Sequence, residues 1–322
     1  MRILVTGAGG FVGCALVKRL TDSGLSVIAA ARHPPALPFP IGTETRIIGD
    51  LTDRSADWEN ACAGADAVVH LAGRAHVMDD PNAAASLYNA VNIDGTIRLA
   101  RAAQRHGVKR FVFVSSVKAM GEETSPGTAW NEASVPHPED PYGRSKLEAE
   151  QALLSMHANQ GFPCVILRPP LMYGPGMKGN FRSLMNAVMR GWPLPIGNID
   201  NRRSLLDVTR FAAAIELSLI HQAAPGNVFL AADMSPLSIG ELVTLMAQAA
   251  GTPARIFSVP AIFWQAARRL PFVGPRIRRL TGSLVLDSGK IQEQLGWQPA
   301  DSPLPGLRAA FAAISDSHFK QG

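Results

Sequence analysis

The glycine-rich segment Thr6–Gly13, with the sequence TGAGGFVG, constrains the fold of this chain more than any other feature. It follows the apolar stretch Arg2–Thr6, typical of a buried strand, and leads into Phe11–Ser23, whose apolar residues recur with helical spacing. Glycines between a strand and a helix permit a tight turn and let a phosphate approach the helix N-terminus. The spacing T-G-x-x-G-x-x-G departs from the strict G-x-G-x-x-G, and no Gly-Lys-Ser/Thr follows, which excludes a Walker loop. We therefore predict a dinucleotide site that includes Gly7, Gly10, Phe11, Val12 and Gly13.

The first half of the chain alternates strand-like and helix-like segments, and nearly every predicted strand is apolar throughout. Strands of this kind are typical of a parallel sheet covered by helices on both faces. The predicted strands are Arg2–Thr6, Ser26–Ala31, Arg46–Ile48, Ala67–Ala72, Arg110–Ser115 and Pro163–Leu167. The predicted helices are Phe11–Ser23, Leu87–Gly107, Pro141–Gln160, Ser238–Ala250 and Val259–Leu270. The sequence thus predicts an α/β fold: a doubly wound parallel (Rossmann) sheet with a smaller, mostly C-terminal substrate domain.

The alternation stops after Pro169, where proline and glycine become frequent. A chain of 322 residues is long enough for two unequal domains. We expect the cofactor domain to comprise residues 1–170 and about 204–225, because Ser204–Leu219 is predicted to be a strand running into a helix. The substrate domain is expected to comprise about 171–203 and 226–322.

The net charge of +5 is compatible with an ordinary basic surface or with an anionic ligand such as a nucleotide. The cations are scattered, without a run of five, which disfavours nucleic acid as a partner. Cys14, Cys62 and Cys164 are far apart and odd in number, so we expect neither disulfides nor a metal cluster. This cysteine usage favours a cytoplasmic location.

The longest uncharged apolar stretch, Ile256–Ala267, is too short to span a bilayer. It contains Phe263 and Trp264, and two arginines, Arg268 and Arg269, follow it. Two interpretations stay open: this amphipathic segment packs on its own domain, or it makes a peripheral membrane contact.

The end of the second predicted strand bears on the choice between NAD and NADP. A site for NAD places an acid there, which bonds the ribose 2′-hydroxyl. This chain has Arg32 instead, and a guanidinium can pair with a 2′-phosphate. We therefore predict NADP as the preferred cofactor, with an indifferent site, in which Arg32 stacks on adenine, as the alternative. Asp50 and Leu51, after the third strand, are expected to flank the adenine.

The candidate catalytic groups lie on one helix and at the end of the fifth strand. Tyr142 and Lys146 are four residues apart, so they share one face of a helix that Asp140 can cap. A lysine cation is expected to lower the pKa of the tyrosine and fit it for proton transfer to an oxygen. A serine at the strand end can polarise the same oxygen; Ser116 is the first choice and Ser115 the alternative.

Together these motifs resemble the extended short-chain dehydrogenase/reductases, the NAD(P)-dependent nucleotide-sugar epimerase/dehydratase family. The family's catalytic Ser or Thr stands five residues before a glycine that matches Gly121, which selects Ser116. The resemblance implies that Tyr142 and Lys146 are catalytic and contact the cofactor. Cofactor contacts are also implied for Leu71, Ala72 and Asn92.

The resemblance also implies a UDP-sugar substrate. Asn180 matches a residue that touches the nucleotide, and Arg203 matches an arginine that clamps the diphosphate. The alternative for Arg203 is a solvent-facing cation at a strand end. Lys118 is expected either to meet an anionic or keto substrate or to point to solvent. Dehydratases of the family carry an Asp-Glu pair where Val117-Lys118 stands, so elimination of water is not expected.

Within the family, the chain resembles UDP-glucose 4-epimerase-like proteins, some of which reduce UDP-4-keto sugars for O-antigen synthesis. Because Ala31-Arg32 favours NADPH, the first prediction is a reductase acting at C4 of a UDP-hexose derivative in surface-polysaccharide sugar synthesis, while the likeness to epimerase-like sequences favours an epimerase. The alternative is a UDP-hexose 4-epimerase with tightly bound NAD, and a distant one is a non-enzymatic NADP-sensing protein. The resemblance implies a homodimer that pairs through Leu87–Gly107 and Pro141–Gln160.

Overall fold

The protein is built on one parallel sheet of seven strands. The structure, a computed structural model, describes residues 1–33, 39–51, 56–75, 81–270 and 274–319. The strands stand in the order β3-β2-β1-β4-β5-β6-β9, and every neighbouring pair is parallel. Their bounds are β1 Arg2–Thr6, β2 Ser26–Ala31, β3 Glu44–Ile47, β4 Ala67–His70, β5 Arg110–Val114, β6 Cys164–Arg168 and β9 Val228–Leu230. The predicted doubly wound α/β fold is confirmed.

Helices cover both faces of this sheet. Their bounds are α1 Phe11–Asp22, α2 Trp58–Cys62, α3 Pro81–Tyr88, α4 Thr96–Arg105, α5 Pro141–Gln160, α6 Gly179–Met189, α7 Val208–Ile220, α8 Ile239–Ala250, α9 Ala261–Arg268, α10 Gly274–Thr281, α11 Gly289–Leu295 and α12 Leu304–Phe319. One core packs α1 and α7 on one face, and a second packs α4 and α5 on the other. The strands are apolar throughout because both of their faces are buried.

The order of the strands creates the crevice that matters for binding. The chain runs from β1 outward through β2 to β3, and then returns to place β4 on the opposite side of β1. Ligands of doubly wound sheets bind at the carboxyl edge where the direction of winding reverses. The turn after β1 and the loop after β4 meet at this point.

A third core lies beside the sheet and contains α6, α8 and α12. It is bordered by a two-stranded parallel sheet, β7 Leu171–Tyr173 and β8 Leu205–Asp207. Val228–Leu230 forms the last strand of the main sheet, beside β6, and the domain bounds given above stay a prediction. Trp297 also packs in the core of the main sheet. A strand of three residues has no periodicity by which the sequence could have revealed it.

Several predicted bounds differ from the structure. The single long helix predicted over Leu87–Gly107 is instead three consecutive helical segments. They are α3, then a π-helix over Asn89–Gly95, and then α4. The strand predicted to end at Ala72 ends at His70, because the chain leaves the sheet to form the loop at the crevice. No helix among the described residues is both long and apolar enough to cross a membrane.

Candidate functional site

The turn after β1 is built so closely that two of its glycines have no room for a side chain. Gly7 has a φ of +68°, and a Cβ on it would lie 2.9 Å from the backbone nitrogen of Ala72. A Cβ on Gly13 would lie 2.2 Å from the carbonyl oxygen of Gly7. Around Gly9, by contrast, a Cβ would meet nothing within 4 Å. The turn therefore presents bare backbone to the crevice, which fits the close approach of a pyrophosphate.

The N-terminus of α1 adds a favourable charge to this turn. Gly10 precedes the helix and has no side chain that could accept from the first turn of N–H groups. Those groups at Phe11 and Val12 carry the positive end of the helix dipole. A dinucleotide phosphate supplies the acceptor that the sequence does not, so the predicted cofactor residues fit their group.

The adenosine end of the predicted site brings together residues from two strand ends. The Arg32 guanidinium, at the end of β2, lies 3.7 Å from a carboxylate oxygen of Asp50, and both side chains are more than half exposed. Leu51 is buried, and its carbonyl oxygen accepts from Arg98 at 2.7 Å. Arg32 and Asp50 thus lie side by side at the strand ends, and their contacts with the cofactor stay a prediction.

Helix α5 brings the candidate acid to the opposite wall of the crevice. Asp140 caps the helix by accepting from the Gly143 N–H at 2.6 Å, which places Tyr142 in the first turn. Burial, and to a smaller extent the charge of Asp140, raises the pKa of Tyr142 to about 12, while the nearby Ser116 side chain opposes this effect.

Lys146 lies one turn further along α5 and is buried. Its Nζ donates to the carbonyl oxygen of Val114 at 2.9 Å and lies 4.6 Å from the centre of the Phe113 ring. Burial lowers the pKa of Lys146 to about 8, against the charge of Glu150. The expectation that Lys146 lowers the pKa of Tyr142 is wrong for this structure, because burial of the phenol dominates.

The two serines at the end of β5 have different surroundings. Ser116 accepts from the Lys118 N–H at 3.2 Å and faces Tyr142. The Ser115 hydroxyl is buried and has no hydrogen-bond partner among the described residues. The geometry therefore favours Ser116 as the partner of the phenol, while its catalytic role stays a prediction.

Asn92 connects the crevice loop to α5 from inside the π-helix. Its Oδ1 accepts from the Arg74 N–H at 2.8 Å, and its Nδ2 donates to the Ser145 Oγ at 2.9 Å. Ser145 in turn donates to the carbonyl oxygen of Tyr142 at 2.8 Å. Asn92 is 1% exposed, so its position supports a role in holding the site together.

His70 extends this connection to the glycine turn. The Nε2 of His70 is 3.0 Å from the Thr96 hydroxyl oxygen. Because that hydroxyl donates its own hydrogen to the Asn92 carbonyl oxygen, the Nε2 of His70 carries the ring proton and donates it to Thr96. The Thr6 hydroxyl then donates to Nδ1 at 2.7 Å and accepts from the Ala72 N–H. Burial lowers the pKa of His70 to about 3, aided by the charge of Lys146. The ring is therefore a neutral bridge between β1 and the π-helix.

Lys118 lies between two carboxylates. Its Nζ is 2.6 Å from Glu122 and 2.6 Å from Asp140, the capping residue of α5. Burial tends to raise the pKa of Asp140, but the hydrogen bonds from Lys118 and Gly143 outweigh it and lower that pKa. In this structure the Lys118 ammonium holds the beginning of α5, and a contact between Lys118 and the substrate stays a prediction.

The predicted substrate residues lie beside the third core. Asn180 is exposed in the first turn of α6. Arg203 donates through Nη1 to the carbonyl oxygens of Arg279 and Gly282, both at 3.0 Å. Burial lowers the pKa of Arg203, while the charges of Glu122 and Glu123 oppose this effect. A backbone-anchored guanidinium of this kind is well placed to hold an anion in a fixed orientation.

Two residues at the site were missed from the sequence. The ring of Tyr88 lies 5.8 Å from that of Tyr142, and Gly73 is so close to Asn92 that a Cβ would lie 3.1 Å from its Oδ1. Tyr88 stands four residues before Asn92, so helical spacing from a known site residue is the signal that could have identified it.

Comparison with known proteins places this geometry in a family context. The model of the NAD dependent epimerase/dehydratase family matches residues 3–232. The chain is 40% identical over 315 residues to a UDP-glucose 4-epimerase of Vibrio cholerae, covering 97% of this chain and 95% of the relative. It is 30% identical to a GDP-6-deoxy-D-mannose reductase of Pseudomonas aeruginosa, over 96% and 95% of the two chains. A solved structure of RMD from Pseudomonas aeruginosa complexed with NADPH matches with a TM-score of 0.75 and 25% identity, over 98% and 99% of the chains.

Proposed function

Because the chain belongs to the NAD-dependent epimerase/dehydratase family, we propose that it reduces a UDP-4-keto sugar at C4 with NADPH. The observation that carries this proposal is Arg32, which follows β2 where a site for NAD would place an acid, since its guanidinium suits the 2′-phosphate of NADPH. The Tyr142 phenol, near Ser116 in the first turn of α5, is the candidate acid at the sugar oxygen. An epimerase would use the same phenol in both directions, so the cofactor and not the phenol separates the two reactions.

The roles of the protein residues follow from their positions. The nicotinamide ring, when bound, supplies the hydride that adds to C4. The Ser116 side chain orients the sugar oxygen, and the Tyr142 hydroxyl delivers its proton to that oxygen, so a carbonyl becomes an alcohol. Lys146, at hydrogen-bond distance from the end of β5, keeps a cation beside this proton transfer while the pH is below about 8.

Arg32 supports NADPH as the cofactor. It stands where an acid would bond the 2′-hydroxyl of NAD, and its charge suits a 2′-phosphate. Asp50, at 3.7 Å from Arg32, is its partner in this structure, and a phosphate would compete with that carboxylate for the guanidinium. NADPH in a solved relative shows that the family accommodates the phosphate.

Arg203 and Asn180 support a nucleoside-diphosphate sugar as the substrate. The Arg203 guanidinium is fixed by two carbonyl oxygens, and the first turn of α6 offers its N–H groups near Asn180. Both groups suit phosphate. The choice of UDP rests on similarity to the Vibrio cholerae protein. We further propose a cytoplasmic homodimer that pairs through α4 and α5 and serves O-antigen sugar synthesis.

A 4-epimerase with tightly bound NAD is the second candidate, and the similarity to the Vibrio cholerae UDP-glucose 4-epimerase favours it. Two measurements separate the candidates. Nucleotide released from the purified protein is expected at well below one equivalent for the reductase, whereas an epimerase retains about one NAD per chain. NADPH oxidation with a UDP-4-keto-6-deoxy sugar is expected for the reductase, whereas interconversion of UDP-glucose and UDP-galactose without added cofactor would overturn that choice.

The cofactor assignment has its own test. Arg32→Gln is expected to raise the KM for NADPH by about tenfold to a hundredfold, since each strong charge-assisted contact contributes about 1.5–3 kcal/mol. The KM for NADH is expected to change less than threefold. Equal changes for the two cofactors would show that Arg32 does not select the phosphate.

A further inference from the structure

A long segment of the third core is basic and contains no acidic residue. Residues 242–286 include six arginines, at positions 255, 268, 269, 276, 278 and 279, and neither Asp nor Glu. The whole chain has 26 acidic residues, so a stretch of this length without an acid is unusual, and its Arg255, Arg268 and Arg269 are exposed.

Helix α9, in the middle of this segment, turns its apolar side outward. Ile262 is 69% exposed, Phe263 is 61% exposed and Leu270, just beyond the helix, is 53% exposed. At about 100° per residue, Ile262, Phe263 and Ala266 lie within one sector of the helix. Trp264 points to the other side and packs against the third core. The outward apolar face is therefore a feature of the surface and not a side of the core.

The apolar surface continues along the segment that precedes α9. Residues 194–197 run beside residues 255–257. The Leu194 N–H donates to the Arg255 carbonyl oxygen at 2.8 Å, and the Phe257 N–H donates to the Leu194 carbonyl oxygen at 3.0 Å. Phe257 is 47% exposed, and Trp192, at the other end of this pairing, is 56% exposed. We name the whole surface the basic apolar patch; its members are Trp192, Arg255, Phe257, Ile262, Phe263, Arg268, Arg269 and Leu270.

We propose that the basic apolar patch docks on an anionic lipid surface. A helix with an outward apolar face and flanking arginines lies in the boundary between headgroups and acyl chains, where both kinds of side chain are satisfied. The arginines add attraction to anionic headgroups, and exposed Trp and Phe side chains favour the same interface. This role goes beyond the proposed reaction and does not depend on it.

The charge of the patch argues against a second copy of the chain as its partner. A two-fold dimer through this face would bring the arginines of one copy against those of the other without an acid from residues 242–286 to pair with them. An anionic bilayer offers the opposite charge over the whole patch. The patch is also tied to the substrate side, because Arg268 on α9 donates to Thr281 on α10 at 2.8 Å.

Vesicle sedimentation with the full chain tests the proposal. Vesicles with about a third phosphatidylglycerol in phosphatidylcholine are expected to bind the protein at least tenfold more tightly than pure phosphatidylcholine, and 1 M salt is expected to abolish the difference. Ile262→Ser with Phe263→Ser is expected to weaken binding at least tenfold. Arg268→Gln with Arg269→Gln is expected to weaken it by about twentyfold, from about fivefold per arginine.

Matched controls use exposed apolar residues elsewhere. Ile41 is fully exposed and Val135 is 86% exposed, so Ile41→Ser with Val135→Ser removes similar apolar surface outside the patch and is expected to leave binding unchanged. Equal binding to the two kinds of vesicle, or variants that bind as the parent does, would overturn the proposal. Sedimentation equilibrium completes the test: a change of oligomeric state in the Ile262/Phe263 variant would assign the patch to a second copy and also overturn it.

Discussion

Helices α1 and α5 both begin at the crevice, but only α5 has a side chain that caps the N–H groups of its first turn. Helix α1 follows Gly10, which has no side chain to accept from its N–H groups. Helix α5 follows Asp140, whose carboxylate accepts from Gly143 at 2.6 Å and is itself paired with Lys118. The positive end of the first helix is thus left for a ligand, whereas that of the second is neutralised by the protein.

This difference separates the two tasks of the site. The α1 turn binds with backbone, so it requires glycine and would be blocked by almost any side chain. The first turn of α5 is capped by Asp140, so it can hold the side chains that face the substrate in fixed positions. A helix dipole therefore serves binding where it is uncapped and positioning where it is capped. The four predictions below test this division.

Tyr142→Phe tests the α5 side most severely. We expect kcat for reduction to fall by about 10²–10⁴-fold, as is usual when a general acid is removed, with cofactor binding and melting temperature retained. Tyr88→Phe is the matched control, because the Tyr88 ring contacts Tyr142 while its hydroxyl donates to the Ala75 carbonyl oxygen at 3.4 Å. Steady-state kinetics of both variants with NADPH check this. Equal losses of kcat in the two variants would show that the Tyr142 hydroxyl is not the acid.

Gly13→Ala tests the α1 side. The new Cβ would lie 2.2 Å from the Gly7 carbonyl oxygen, so the turn has to open, and we expect a loss of roughly 3 kcal/mol in the free energy of unfolding. Gly9→Ala is the control, because its Cβ meets nothing within 4 Å. Urea denaturation of both variants compares them. A Gly13 variant as stable as the Gly9 variant would show that the turn is not tightly packed.

Lys146→Met asks what the buried cation costs in stability. Burial lowers the pKa of Lys146 to about 8, so the folded protein binds the proton more weakly than the unfolded chain does. The parent protein therefore gains stability as pH rises from about 8 towards the pKa of free lysine, and is penalised below that range. We expect the variant to be inactive and about 2 kcal/mol more stable at pH 7, with the difference vanishing above pH 10. Thermal melts across pH 6–10 check this; a less stable variant at pH 7 would contradict it.

Lys118→Met tests the ion pair between Lys118 and Asp140, the capping residue of α5. It leaves Asp140 unpaired, and the charge of Asp140 raises the pKa of Tyr142. We expect kcat to fall about tenfold and stability to fall by about 1 kcal/mol. Lys18→Met, which breaks the exposed pair with Asp22 on α1, is the control and is expected to change neither. If kcat is unchanged while the KM for the sugar rises, Lys118 contacts substrate instead.

The fold and the ends of the crevice followed from the sequence because they depend on local pattern. The strand, the glycine turn and the helix that begin the chain are encoded by adjacent residues, and Asp140 and Pro141 mark the beginning of α5 in the sequence. The pairing of Lys118 with Asp140 did not follow, because it joins residues 22 positions apart through side-chain rotamers. The pKa of Tyr142 was wrong in direction for a similar reason: the spacing of a nearby cation is visible in the sequence, while the depth of burial is not.

Elements that depend on long-range pairing were harder to recognise in the sequence. The last strand of the main sheet has three residues, and its place beside β6 depends on long-range pairing. The π-helix was likewise read as ordinary helix, since an extra residue in one turn leaves the apolar spacing almost unchanged. In the structure, Asn92 in this widened turn bonds both Arg74 and Ser145.

The most direct test of the account follows the hydrogen itself. Protein is incubated with a UDP-4-keto-6-deoxy sugar and NADPH that carries deuterium at the transferable position of the nicotinamide, and the product is examined by mass spectrometry and NMR. A reductase with Tyr142 as its acid predicts one deuterium, at C4 of the sugar, with O4 protonated and one NADP formed per product. A product that contains no deuterium, or turnover without oxidation of NADPH, would contradict it.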